Sequence, residues 1–289
     1  VDFDTLAGAN NIPAEGPHMI SIEAFDVPGN RSAQAEQLVT EIDTTAPATP
    51  AAPDLDADSD SGFFDNDNVT NVDTPTLSGL GEANSLVRLW ATNVNTSEVQ
   101  QIGEGRVGSD ESDGTDTNGS GVWTVESSAM DEGVYNITAT FEDLAGNIST
   151  ATPALQVEID TIQPNTAFLD LREADDSGRH NDDNITNVTS PVFTGTTEDP
   201  NNALHILPAN LAFRIFDRPE GGTETLIYDS NAVLPGLTAN TLITTAGLPL
   251  TEGYHNLKLE VEDRAGNISS DFLLTVVIDE TAPPVSIIG

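Results

Sequence analysis

The sequence predicts an all-β chain of sandwiches arranged in tandem. Three observations carry that prediction. An acidic element recurs without a gap at an offset of 116 residues (170 − 54 = 116). Short apolar runs alternate with polar residues at period 2, the mark of a strand with one buried face. Pro-containing links join the repeats, and no helical period with caps occurs between them.

The repeat comes first, because it fixes the organisation. Asp54 to Glu82 is DLDADSDSGFFDNDNVTNVDTPTLSGLGE, and Asp170 to Glu198 is DLREADDSGRHNDDNITNVTSPVFTGTTE. A second element occurs three times. It is PHMISIEAFDVPGNRSAQAEQLVTEID from Pro17, GVYNITATFEDLAGNISTATPALQVEID from Gly133 and GYHNLKLEVEDRAGNISSDFLLTVVID from Gly253. Each copy is a strand, a D-x-x-G-N turn and a strand that ends in Ile-Asp. Asp26, Asp143 and Asp263 therefore correspond, as do Asp43, Asp160 and Asp279. The links TTAPATPAAP, TIQP and ETAPP follow. The expected organisation is the C-terminal part of a first unit (1–45), a complete second unit (46–162), a complete third unit (163–281) and the start of another (282–289). A chain that begins and ends inside repeats is expected to be a piece of a longer array.

Within the second unit, strands are expected at Thr74–Leu80, Ser85–Thr92, Val122–Ser127, Val134–Phe141 and Ala154–Ile159. VWTVES and YNITATF show the alternation most clearly. About seven strands per unit, punctuated by turn residues, predict immunoglobulin-like β-sandwiches in an elongated array. A β-solenoid is the alternative, but the repeat is far longer than its short rungs. Trp90 and Trp123 lie in strand-like runs and are expected to be core aromatics.

Charge limits the function. Nine Lys and Arg face 48 Asp and Glu, a formal net charge of −39. Phosphate contacts need a basic surface, so nucleic acid is excluded as a partner, and anionic membranes are disfavoured on the same ground. No apolar run approaches the roughly 18 residues of a membrane span. No signal peptide is recognisable at Val1, so any secretion signal is expected elsewhere. There are no cysteines, so each unit is expected to hold together by its core or by another staple.

The other staple is suggested by where the acids crowd. Asp54, Asp56, Asp58, Asp60, Asp65 and Asp67 lie in one stretch, and no Lys or Arg occurs between Arg31 and Arg88. Asp170, Asp175, Asp176, Asp182 and Asp183 occupy the equivalent stretch of the third unit. Calcium takes about 6–8 oxygen ligands from carboxylates, amides, backbone and water, and loops rich in Asp, Asn, Ser and Gly supply them. Asp56-x-Asp58-x-Asp60 is not a helix-flanked calcium loop: its glycine falls one place late, and the other copy carries Arg172 and Ala174. The shared acids are Asp54, Asp60 and Asp67, matching Asp170, Asp176 and Asp183. Two groupings are expected beside unit boundaries: Asp143, Asp160 and the Asp170–Asp183 loop, and before it Asp26, Asp43 and the Asp54–Asp67 loop. Two plainer readings compete. D-x-x-G-N is a good turn in its own right, and acids can form a solvated coat. The Glu104–Asp116 segment (EGRVGSDESDGTD) is an acidic insertion without a counterpart.

SDSG…DNVTN, DLAGN, DRAGN and the I-D-x-T-x-P links resemble the tandem bacterial Ig-like repeats of giant surface adhesins, of the biofilm-associated and RTX type. The resemblance covers nearly the whole chain. It implies an extracellular stalk at the cell surface, calcium near the joints, neighbouring repeats as partners and a separate binding tip. The insertion, and the difference between FFDND at Phe64 and RHNDD at Arg179, depart from the pattern at possible ligand positions.

Catalysis finds little support. His18, His180, His205 and His255 form no spaced metal or triad pattern, and paired acids in repeated loops suit metal better than glycoside cleavage. Two non-catalytic alternatives remain open: a glycan- or protein-binding module, which needs an exposed aromatic platform, and a subunit that self-associates into a filament or layer through sheet edges. Nine N-x-[ST] triplets occur, several inside turns whose chemistry already accounts for Asn.

Overall fold

The computed structural model describes residues 15–20, 24–32, 38–108, 120–198, 210–230, 234–235, 241–245 and 247–284. Every regular element among them is a strand. In the first unit β1 (Gly16–Ile20) pairs antiparallel with β2 (Leu38–Ile42).

The second unit contains β3 (Asp54–Leu55), β4 (Val69–Thr70), β5 (Thr76–Glu82), β6 (Leu86–Asn93), β7 (Val99–Arg106), β8 (Ser120–Glu126), β9 (Gly133–Glu142) and β10 (Leu155–Ile159). They form two sheets, β3-β5-β8 and β4-β10-β9-β6-β7. The third unit contains β11 (Asn165–Leu171), β12 (Ile185–Thr186), β13 (Phe193–Glu198), β14 (Asn210–Pro219), β15 (Thr225–Asp229), β16 (Leu234–Pro235), β17 (Thr241–Thr244), β18 (Gly253–Glu262) and β19 (Ile268–Ile278). Its sheets, β11-β13-β17 and β12-β19-β18-β14-β15, repeat the order of the second unit, with β16 added on β14.

Alternation places the cores. Ile137, Ala139 and Phe141 of β9 point inward, as do Leu257, Leu259 and Val261 of β18. Each unit closes over its own cluster, one running from Leu55 to Ile159 and the other from Leu169 to Ile278. Trp123 is buried, with its ring 6.3 Å from Phe141 and its Nε1–H donated to the Leu80 carbonyl at 3.2 Å. Trp90 departs from expectation. Leu89 and Ala91 take the inward positions of β6, so Trp90 lies half-buried on the other face, bonded to Thr140 Oγ1 at 3.2 Å.

β7 (VQQIGEGR) escaped the sequence pattern because Ile102 is its one buried large apolar residue and glycines follow it where the sheet packs closely. A Cβ at Gly103 or Gly105 would come within 2.8 or 2.7 Å of the Val125 methyls. Glu104–Arg106 of the acidic insertion belong to this strand, and Glu104 lies 3.8 Å from Arg88 Nε. Residues 109–119 lie outside the described residues, as does His205.

The chain's first crossing between sheets positions the acidic loops. β3 lies in one sheet and β4 in the other, so residues 56–68 span the edge of the sandwich. β4 runs parallel to the end of β10, with Thr70 opposite Ile159. β12 does the same with β19, Thr186 opposite Ile278. Each acidic loop therefore sits at the pole where its unit ends. Each D-x-x-G-N turn joins β9 to β10, or β18 to β19, at the opposite pole.

Candidate functional site at the joints between units

The D-x-x-G-N turns are built from their own side chains. Asp143 Oδ1 accepts the amides of Ala145 (2.8 Å) and Asn147 (2.9 Å), and Oδ2 accepts Asn147 Nδ2 at 2.8 Å. Asp263 binds Asn267 in the same way (2.9 and 3.0 Å), as Asp26 binds Asn30 (2.7 Å twice). Gly29, Gly146 and Gly266 take φ near +90°, which the turn requires. The Asn30 and Asn147 side chains hold the Asp26 and Asp143 carboxyls below the usual carboxylate range. The turn reading therefore accounts for these three acids.

The asparagines reach further. Asn267 Nδ2 also donates to the Asp160 carbonyl oxygen at 2.8 Å, and Asn147 Nδ2 donates to that of Asp43 at 3.1 Å. These two turns are thus fastened to the Ile-Asp end of the preceding unit's last strand. The terminal acids make a common link turn: Oδ1 of Asp43, Asp160 and Asp279 accepts the amide of Thr45 (3.0 Å), Ile162 (3.1 Å) and Thr281 (3.0 Å). Glu15, Glu132 and Glu252 accept hydroxyls of Thr45, Thr161 and Thr281 in the same links. Those glutamates were not anticipated, although Glu-Gly precedes the strand in every copy.

The acidic loops divide into engaged and unengaged carboxylates. Asp54 and Asp170 belong to β3 and β11 and lie on strands rather than at the loop tips. Asp56 Oδ1 caps the Asp58 amide at 3.1 Å, while Asp58, Asp65 and Asp182 are exposed. Asp175 binds Arg172 and the Val192 amide, and the Arg172 guanidinium lowers its pKa. Ser59 does the same structural work in the second unit, accepting the Thr76 amide at 3.0 Å.

Asp60 and Asp176 are different. They are equivalent, 6% exposed each, and each spends Oδ2 on one backbone amide, of Asn68 (3.2 Å) or Asn184 (3.0 Å). Oδ1 of both is buried without a hydrogen-bond partner. Burial raises the Asp60 pKa, and the charges of Asp67 and Asp65 add to that.

The joint between the second and third units is keyed. Gly62 approaches the DRAGN turn so closely that a Cβ there would lie 2.0 Å from the Arg264 carbonyl oxygen. Ser61 Oγ donates to the Ala265 carbonyl at 2.6 Å. Arg264 Nη2 lies 2.6 Å from Asp67 Oδ2, and the guanidinium sits 5.5 Å from the Phe64 ring centre. Asp160 and Asp263 are 2% and 1% exposed at this joint, so buried carboxylates here outnumber the one cation that the residues just named supply.

These contacts correct the expected groupings. Asp143 and Asp160 sit at opposite poles of the second unit. Asp160 belongs with the Asp54–Asp67 loop of its own unit, since its amide donates to Thr70 O at 2.9 Å. Asp279 belongs likewise with the Asp170–Asp183 loop, through Thr186 O at 2.9 Å. Asp43 faces Asp143. Between them lies a cavity of about 320 Å³ whose lining includes Glu41, Asp43, Glu82 and Asp143. Burial, then Asp143 and Asp43, push the Glu82 carboxyl up. Among the described residues, no three His or acidic side chains converge closely enough to hold a metal as they stand. A divalent ion would have to draw on side-chain rotation, backbone carbonyls and water as well.

The bacterial Ig-like domain model matches residues 46–161 and again 163–212. The chain belongs to the bacterial Ig-like domain family. No curated protein sequence matches it. Solved structures match at low identity. The fibronectin(III)-like modules of Clostridium thermocellum CbhA match at 12% identity and a TM-score of 0.33, covering 78% of this chain and 93% of that one. A biofilm associated protein, BSP domain, matches at 16% identity and a TM-score of 0.22, covering 74% of this chain and 29% of that one. As tandem bacterial Ig-like repeats, the second and third units share one strand order and one pair of pole-specific loops.

Proposed function

We propose that this chain is a calcium-stiffened stalk segment of a bacterial surface adhesin, working outside the cell to project a binding tip. Its role is mechanical, not catalytic. The observation that carries the reading is the pair Asp60 and Asp176: one buried carboxylate oxygen in each acidic loop lacks a partner. A buried carboxylate is costly unless it is paired or bound to metal. Two equivalent loops repeat that cost, which suits a recurrent cation rather than an accident of one loop.

The donor set suits a hard cation. Asp60, Asp67 and Asp160 in the second unit, and Asp176, Asp183 and Asp279 at the equivalent pole of the third, would hold calcium together with loop carbonyls and water. The ion would supply positive charge where carboxylates repel. A site filled at about 100 times its Kd stabilises the bound state by about 2.7 kcal/mol. Extracellular modules bind calcium with a Kd of roughly 10⁻⁴–10⁻³ M, so the stiff state would belong outside the cell.

Thermal unfolding in calcium, in magnesium and in chelator tests this. Calcium should raise the melting temperature and magnesium should do so weakly. Equal curves in calcium and chelator would end the proposal.

A further inference from the structure

The same loop occurs in two states within this one chain. In the second unit it is seated: Ser61 Oγ donates to Ala265 O across the joint, and Gly62 takes φ +95° beneath Arg264. In the third unit Ser177 Oγ donates instead to Asn187 Oδ1 of its own loop at 2.7 Å, and the Gly178 amide folds back onto Ile185 O at 3.1 Å. The rest of the scaffold is held in common. Ser61 and Ser177 both accept the amide of Asn71 or Asn187 (2.8 and 2.9 Å), and Asn68 and Asn184 both take left-handed φ (59° and 57°). Ser177, Asp183 and Asn187 are exposed where Ser61, Asp67 and Asn71 are half-buried.

We infer that the 177–187 loop of the third unit is an open socket for the D-x-x-G-N turn of a further Ig-like unit. On docking, Ser177 Oγ turns from Asn187 to the incoming turn's carbonyl, and Gly178 opens to a left-handed φ. Arg179 and His180 stand where Phe63 and Phe64 stand in the second unit, while Asp183 keeps the place of Asp67. The Asp143–Asn147 turn, with Leu144 at its second position, calls on neither the Phe64 ring nor the Asp67 carboxylate that Arg264 uses, and so serves as the plug. The inference rests on the keyed joint and needs no metal, so it stands or falls separately from the calcium reading.

The test lengthens the full chain by placing residues 55–162 after Gly289, which occupies the repeat position of Asp170. The chain has no cysteine, so Ser177→Cys and Ser61→Cys, made one at a time, each give a single thiol. In the 289-residue chain Cys-alkylation should be fast at position 177 and slow at 61. In the lengthened chain labelling at 177 should slow by about tenfold or more. Gly146→Val in the added unit should restore it, because the docked glycine lies against loop backbone. Amide hydrogen exchange over 177–187 in the two unmodified chains should show the same protection without any variant. Unchanged labelling and exchange on lengthening would overturn the socket. So would protection that rises with concentration in the 289-residue chain, which would assign the surface to a second copy.

Discussion

Asn267 donates its side-chain amide to the backbone carbonyl of Asp160 at 2.8 Å, while its other contacts go to Asp263 in its own turn. One asparagine thus shapes the turn and fastens it to the preceding unit. Asn147 repeats the arrangement with Asp43 and Asp143. Losing such a buried bond while its partner stays buried costs about 1–3 kcal/mol. Asn267→Ala should therefore lower the stability of the third unit by that order in denaturant unfolding, and Asn267→Asp should do no better.

Gly62 and Gly146 separate joint packing from backbone strain. Both have φ near +95°, but only Gly62 lies against a neighbouring unit; a Cβ at Gly146 meets nothing within 4 Å. Gly146→Ala should cost only the strain of a left-handed alanine, about 1–2 kcal/mol. Gly62→Ala should also bend the chain between the second and third units. Solution scattering should show a changed maximum dimension for Gly62→Ala alone.

Arg264 supplies a cation to the joint through Asp67 and Phe64. Arg264→Leu copies the residue at the equivalent position 144. In chelator the variant should be more flexible than the parent by scattering, and calcium should recover more rigidity in the variant. A variant as stiff as the parent in chelator would show that Arg264 contributes nothing to the joint.

The calcium sites should be position-specific. Asp60→Ala and Asp176→Ala should each shrink the calcium-induced rise in melting temperature, whereas Asp110→Ala should change it less. Without metal, Asp60→Asn should be neutral or stabilising, because it removes an uncompensated charge.

Acid should act on Asp60 and Asp143 in opposite directions. Burial raises the Asp60 pKa above 3.8, so in the folded chain it takes up its proton first. Its contribution to stability is then smallest at neutral pH and grows as pH falls through the folded pKa. The Asn147 hydrogen bond lowers the Asp143 pKa, so its contribution is present above 3.8 and is lost as pH falls through its lower folded pKa. In chelator, melting curves of Asp60→Asn and the parent should converge as pH drops toward 3.8. Calcium should abolish that convergence by holding Asp60 ionised.

A buried pair in the third unit offers a control outside the acidic loops. His255 Nδ1 lies 2.8 Å from Asp217 Oδ2, and Nε2 lies 2.8 Å from Thr251 O. Tyr135 OH serves the equivalent carbonyl, Asp131 O, at 3.0 Å in the second unit. His255→Leu would strand the Asp217 carboxylate in the core and should cost about 3–5 kcal/mol, with the calcium response unchanged. The two single residues, 38 positions apart, gave no sequence signal; only the pairing of β14 with β18 brings them together.

The sequence by itself determined the strands and the repetition. Period-2 alternation at YNITATF and VWTVES is local, because neighbouring side chains on a strand must face opposite ways. The gap-free match of Asp54–Glu82 to Asp170–Glu198 determined that Asp60 and Asp176 are one position used twice. Only the tertiary structure decided which pole each acid occupies. The step from β3 to β4 carries the acidic loop beside Asp160, because a parallel strand must end where its partner ends. The turn at Asp263 then meets that loop from the next unit. Counting along the chain cannot supply that result, since the step from β3 to β4 keeps the strand direction where the other turns reverse it, and the Ser61–Ala265 contact that helps lock the joint joins residues 204 positions apart.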